Sequence, residues 1–155
     1  MTCMPRRVVV PLALAAIALV SWTTPAAARK PTRGQLPDVL RLAESVDGAA
    51  QELYGLAKAR ATDADNDLMG NLEKLANRAT HFHRILNEAQ GDENGAHTQK
   101  AFWELKERWD KTTDAWGGSR VKGSDSTAKQ FKRVRKLVDS IQPYYDDSLP
   151  APGED

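Results

Sequence analysis

The sequence predicts an all-α protein: a single antiparallel four-helix bundle with up-down-up-down order, placed between a cleaved signal peptide and a disordered tail. Apolar residues recur at alternating steps of four and three along four stretches, which puts one apolar stripe on one side of each helix. Short polar segments join these stretches, so neighbouring helices are expected to run antiparallel. Residues 29–155 also lack the alternating β-branched runs that indicate strands.

Residues 1–28 have the composition of a secretory signal peptide. Arg6 and Arg7 precede the apolar run Val8–Val20, and Ala26 and Ala28 supply the small residues of a cleavage site. We therefore expect cleavage after Ala28 and export, with the periplasm as the predicted location and the extracellular space as the alternative. The arginine pair fits either an ordinary basic segment or a twin-arginine signal. The apolar run is short for a membrane span, so an integral membrane protein is not expected.

Removal of residues 1–28 changes the chemistry of the chain. Cys3, the single cysteine, leaves with the signal, so residues 29–155 can form neither a disulfide nor a thiolate metal site. Lys and Arg fall from 22 to 20 while all 21 Asp and Glu stay, which makes the net charge −1. This balance argues against nucleic acid as a partner. The length that remains is sufficient for one hydrophobic core.

Residues 29–36 are expected to form a flexible leader, and residues 37–142 the bundle. Helix 1 begins at Pro37, which suits the first turn of a helix, and extends to about Arg60. The residues assigned to its core line are Val39, Leu42, Val46, Ala49, Leu53 and Leu56, with Ala43, Ala50 and Ala57 beside it. Gly48 and Gly55 lie on the opposite face, where they either are tolerated or allow close approach of another helix.

Helix 2 follows a turn at residues 61–66 and is the element around which the others are expected to pack. Its apolar stripe consists of Leu68, Leu72, Leu75, Ala79, Phe82, Leu86 and Ala89. Such a helix is stable only when its stripe is buried against other helices. Thr62, Asp63 and Asp65 are candidate N-caps, and Gly91 is the predicted C-cap.

Helices 3 and 4 complete the predicted bundle. Helix 3 extends from about Gly95 to Trp116, where the pair Gly117-Gly118 is expected to end it. Its core line is Thr98, Phe102, Leu105, Trp109, Thr112 and Trp116. Helix 4 has Ser124 as N-cap and ends before Pro143. Its inner residues are Ala128, Phe131, Val134, Val138 and Ile141. Residues 143–155, which are acidic and contain proline, are predicted to be a disordered tail.

The motifs that would indicate a metal ion, a cofactor or catalysis are weak or absent. Asp63, Asp65 and Asp67 alternate as in a calcium loop, but Leu68 and Lys74 occupy the places that require Gly and Glu. The sequence has no nucleophile elbow, zinc-protease motif or phosphate-binding loop. We therefore predict no catalytic residue, no metal site and no cofactor.

The histidines do not change this interpretation. His81 and His83 lie about 200° apart on a helix and cannot both face one ion. His81 is predicted on the outer face of helix 2 and His83 on the flank of its core line. A haem held by His83 and a distant ligand is an alternative with little support from the sequence.

Two surface features are candidates for binding. Trp103 has polar helical neighbours, so it is predicted to point outward, either as a contact residue or as a cover over a seam between helices. The second feature is a basic face on helix 4 formed by Lys129, Lys132, Arg133 and Lys136. It is either a solvated face or a contact for an anionic surface, such as phospholipid headgroups or an acidic protein.

These features favour an exported, non-catalytic binding module of the cell envelope. It would dock a protein partner or a second copy of itself through Trp103 and the glycine face of helix 1, defined by Gly48 and Gly55. A periplasmic bundle that carries a metal or haem is the alternative, and an enzyme of unknown reaction is a further one. The fold class does not choose among these functions.

Overall fold

Residues 29–89, 96–150 and 152 are described by the computed structural model, and within them the chain is helical with no strand. The four α-helices of this part are α1 (Leu36–Lys58), α2 (Asn66–Glu88), α3 (Ala96–Gly118) and α4 (Asp125–Ile141). Short 3-10 helices cover Asp63–Asp65, Val121–Gly123 and Gln142–Tyr144. The prediction of an all-α chain with four helices is confirmed. The predicted signal peptide, Gly91 and Gly95 lie outside the described residues.

One hydrophobic core lies between the helices. α2 packs against α1 and α3, and α1 also packs against α4. Small side chains line the buried side of α1 and let these neighbours approach closely. They are Ala43, Ala49, Ala50 and Ala57. Aromatic rings instead join α3 to α4, because Phe131 stacks on Trp116 at 4.2 Å and contacts Trp109 at 4.8 Å between ring centroids.

The apolar stripe of α2 is buried as its spacing predicts. Its members from Leu68 to Leu86 are at most 2% exposed, and only Ala89, beyond the end of the helix, is half-buried. Ala76 joins them at 2% because α2 has a neighbour on each side. The buried stripe of α2 therefore forms the centre of the core.

The buried face of α1 is rotated slightly from the predicted one. Leu42 and Leu56 have the spacing of core residues but are only partly buried. Ala43, Ala50 and Ala57, expected beside the core line, are fully buried. α1 contacts both α2 and α4, and its small side chains occupy the places where these helices come closest.

The ends of α3 and α4 lie close to the positions predicted for them. α3 includes both Gly117 and Gly118, so the predicted end after Trp116 is slightly short. Ser124 occupies the N-cap position of α4 as predicted, although its hydroxyl bonds to the Arg60 guanidinium and makes no capping hydrogen bond. α4 ends at Ile141, before the proline that was expected to end it.

The residues directly after α4, which fall within the predicted disordered tail, include one that packs into the core. Tyr145 is 0% exposed. Its ring stacks on Phe102 with centroids 4.7 Å apart and meets the edge of Phe82 at 6.0 Å. Burial of one large aromatic ring stabilises the docked segment in spite of its polar composition.

The expected flexible leader also makes defined contacts at Arg29. Its guanidinium donates to the carbonyl oxygen of Pro143 at 3.2 Å and lies 3.2 Å from the carboxylate of Asp147. The side-chain amide of Gln99 donates to the Arg29 carbonyl oxygen, also at 3.2 Å. Arg29 therefore lies between α3 and the segment that follows α4.

Candidate functional site

Trp103 on α3 stands out among the described residues as an exposed large apolar side chain, with 37% of its surface accessible. Its ring meets Phe102 edge-on with centroids 5.3 Å apart, and Phe102 is itself fully buried. The outward orientation predicted for Trp103 therefore agrees with the structure. Because the core holds one side of the ring, a partner could bind the exposed side without first ordering it.

Polar side chains surround Trp103 on its own helix. The neighbours three or four residues away are Gln99, Lys100, Lys106 and Glu107. Gln99 is engaged with Arg29, and Lys106 forms an ion pair with Asp110 at 2.7 Å. An apolar residue inside a polar rim is the usual arrangement of a residue that dominates a protein interface.

The two glycines of α1 are exposed and have free space around them. No atom beyond the adjoining backbone lies within 4 Å of a Cβ added to Gly48 or Gly55. Contacts within the described chain therefore do not require glycine at either position. The open face leaves room for close approach by another helix, and equally for an alanine.

The basic face of α4 is exposed at all four predicted positions, Lys129, Lys132, Arg133 and Lys136. Arg133 lies 3.8 Å from Glu52 of α1, and both side chains are more than half exposed. Such a surface ion pair contributes little to stability. The basic residues of this face therefore remain close to solvent.

Trp103, the glycines and the basic face lie on three different helices. They lie on α3, α1 and α4 respectively. No atom of Trp103 lies within 4 Å of a Cβ added at either glycine. The predicted contact through both Trp103 and the glycine face would therefore use two different helices.

Asp65 occupies the N-cap position of α2, as predicted, but sequence reasoning missed that this buried residue also links two turns. Its Oδ1 accepts hydrogen bonds from the Ser119 hydroxyl at 2.7 Å and the Arg120 backbone N–H at 3.1 Å. Its Oδ2 accepts from the backbone and hydroxyl of Thr62. The hydrogen bond from Ser119, followed by that from the Thr62 backbone, lowers the pKa of Asp65 from 3.8 to about 2.

A second polar group connects α1 and α2. Asp47 Oδ1 accepts a hydrogen bond from Thr80 at 2.6 Å, and its Oδ2 lies 3.2 Å from Nδ1 of His83. Gln51 donates to the Thr80 hydroxyl at 3.1 Å. The predicted flank position of His83 is correct, but its partner on α1 was not visible in the sequence.

The described part of the chain shows neither a metal-binding cluster nor a membrane-spanning helix. The described residues contain no group of three His, Cys, Asp or Glu side chains placed to hold a metal ion. None of the described helices is long and apolar enough to cross a membrane. The chain matches no family model, no curated protein and no solved structure. The function is therefore argued from the surfaces described above.

Proposed function

We propose that the chain is an exported, non-catalytic binding module of the cell envelope that docks a protein partner or a second copy through the surface around Trp103. The observation that carries the proposal is the exposed tryptophan braced by the buried Phe102. Exposing a tryptophan to water is unfavourable, and this residue type is enriched at interaction hot spots. Gly48 and Gly55 would provide a second, closer contact on α1.

The proposed bundle is antiparallel, with helices running up-down-up-down. Side-chain pairings support this order, because residue numbers rise on one helix as they fall on the next. Asp47 of α1 contacts both Thr80 and His83 of α2. Gln51, one turn later on α1, contacts Thr80 and not the later His83. Arg78 of α2 pairs with Glu104 of α3 at 2.5 Å.

The interior of the bundle supports surface binding over a buried cofactor. Phe82, Phe102 and Tyr145 are in mutual ring contact, and all three are fully buried. Side chains of the chain itself therefore occupy the space where a carrier bundle would place its ligand. An absorption spectrum and elemental analysis of protein from its own envelope would test the alternative of a metal or haem carrier. A coloured or stoichiometrically metallated product would favour that alternative.

The experiment that tests the proposal compares Trp103→Ala with Tyr54→Ala. Tyr54 is a half-buried aromatic residue of α1, so its substitution controls for general loss of an aromatic side chain. Association is measured by sedimentation of the chain alone and by cross-linking in an envelope extract. Trp103→Ala should weaken association by about 2 kcal/mol, roughly 30-fold, and Tyr54→Ala should not.

The same variants separate binding from folding. Trp103→Ala loses its edge-on contact with Phe102, so its free energy of unfolding should fall by only about 1–2 kcal/mol. Association that is equal for the wild type and Trp103→Ala would refute the proposed role of this surface. Loss of association together with unfolding would be checked with Trp103→Phe, which keeps an aromatic ring against the core.

A further inference from the structure

The basic residues of α4 are spaced so that their like charges destabilise the helix. Lys129 and Arg133 stand four residues apart, and so do Lys132 and Lys136. Like charges at this spacing face each other on a helix and destabilise it by a few tenths of a kcal/mol per pair. These two like-charge pairs therefore do not stabilise α4.

Neighbouring charges within the described chain do little to neutralise them. Arg133 is the one member of the face that has a carboxylate within 4.0 Å among the described residues, the exposed Glu52. Asp125 and Asp139 stand at the two ends of the helix, and neither forms an ion pair with a lysine of the face in the described structure. Adjacent cations are engaged differently, since Arg135 lies over the Phe131 ring.

α3 shows the opposite arrangement. Its Lys106 pairs with Asp110 and its Lys111 pairs with Glu107, each four residues away. Opposite charges at this spacing stabilise a helix. Two lysines of α3 therefore pair along their own helix, which the four cations of the α4 face do not do in the described structure.

We propose that this basic face binds an anionic phospholipid surface through its headgroup phosphates. Four cations spaced over the eight residues from Lys129 to Lys136 cover about 10 Å of a straight helix. An array of that size can meet several headgroups at once. Lysine ammonium groups act as compact point charges, which suits a mobile layer of phosphates.

The composition of the face favours lipid over an acidic protein. Protein interfaces bury large aromatic or apolar residues at their centre, and lysine is depleted there. The outer positions of α4 between Asp125 and Ser140 are charged or small and polar. The large exposed apolar residue of the described chain lies on α3 instead.

Charge balance favours lipid over nucleic acid. The chain from residue 29 onward has a net charge of −1, because 20 basic residues face 21 acidic ones. A polyanion that extends past the face would meet this acidic remainder, whereas a membrane touches one side of the protein. The proposed surface is separate from Trp103 and does not depend on the proposed protein contact.

The test is sedimentation of the full chain with lipid vesicles at low and high salt. Phosphatidylcholine vesicles with about one third phosphatidylglycerol are compared with pure phosphatidylcholine, which accounts for any apolar binding by residues 1–28. We expect binding to the anionic vesicles that weakens with salt. If each cation contributes about fivefold, replacing all four by Gln should lower the affinity by about 600-fold.

Two matched variants make the outcome specific. A charge-matched control replaces Lys74, Arg84, Lys100 and Lys111, which are exposed cations on α2 and α3, by Gln. This control and Trp103→Ala should bind vesicles far better than the α4 variant. The α4 variant should unfold at an equal or higher denaturant concentration than the wild type, because its like-charge repulsion is removed.

Three results would overturn the proposal. The first is equal binding of wild type and α4 variant to the anionic vesicles. The second is equal loss of binding in the α4 variant and the charge-matched control. The third is tighter binding of duplex DNA than of the anionic vesicles at the same salt, which would assign the face to nucleic acid.

Discussion

Tyr145 offers the sharpest test of the fold, because a single side chain decides whether the segment after α4 is docked. The ring is 0% exposed and contacts two other fully buried rings, Phe102 and Phe82. Truncating a buried aromatic residue to alanine costs about 3–5 kcal/mol through lost burial and the cavity left behind. We therefore expect Tyr145→Ala to lower the free energy of unfolding by that amount. This is a large part of the 5–15 kcal/mol typical of whole domains.

The assay is urea unfolding followed by circular dichroism, with two comparison variants. Tyr144→Ala changes the neighbouring residue, which is only half-buried, and should cost about 1 kcal/mol. Tyr145→Phe keeps the stacked ring and should retain most of the stability. Deleting residues 143–155 should destabilise the chain at least as much as Tyr145→Ala, because both remove the same ring.

A small effect would refute the reasoning. If Tyr145→Ala and Tyr144→Ala moved the urea midpoint equally, Tyr145 would not be the residue that holds the segment. A deletion of residues 143–155 with no effect on the midpoint would return the segment to the disordered tail that its composition predicts.

Two further predictions concern backbone and charge. Gly48→Ala and Gly55→Ala should each raise the free energy of unfolding by about 0.5–1 kcal/mol, because an alanine Cβ meets free space there. Urea midpoints check this prediction. Gly70→Ala on α2, where a Cβ also meets free space, is the control. Ser119→Ala should lower the free energy of unfolding at neutral pH by about 1.5–3 kcal/mol, because it removes a hydrogen bond to a buried carboxylate. The pKa of Asp65 is lower in the fold than its usual 3.8, so ionised Asp65 stabilises the fold above that pH and this contribution is lost as the pH falls through about 2. The difference between wild type and Ser119→Ala should therefore shrink in urea titrations at decreasing pH, and a constant difference would contradict it.

The elements of the fold could be predicted because helical periodicity is a local signal. The stripe of α2 is buried from Leu68 to Leu86, and α4 ends before Pro143 as its sequence indicates. The error in α1 has a definite cause. Periodicity finds the apolar side of a helix, but the neighbours on that side decide whether Leu42 or Ala43 lies closest to them.

The contacts that hold the ends and turns could not be predicted, because each joins residues far apart in the chain. Asp65 accepts its hydrogen bonds from Ser119 and Arg120, and a local pattern shows only a candidate cap. Tyr145 lies in a segment whose prolines and acids are typical of disorder, and Phe102 is the partner that makes it part of the core. Local composition therefore underestimates a segment whose order depends on one buried ring.

The candidate surfaces also include features that the sequence could predict and features that it could not. The outward orientation of Trp103 follows from the positions of its apolar neighbours on one helix, so the sequence was sufficient for it. Whether a surface charge is paired depends on the rotamers of its own helix and on what the adjacent helix presents. Asp125 stands four residues before Lys129, a spacing that favours an ion pair, yet these two residues do not pair in the described structure. The repulsion between Lys132 and Lys136, by contrast, can be predicted from their four-residue spacing in the sequence. Because neighbouring carboxylates do not neutralise these two lysines in the described structure, an anion outside the chain is the partner that would relieve their repulsion.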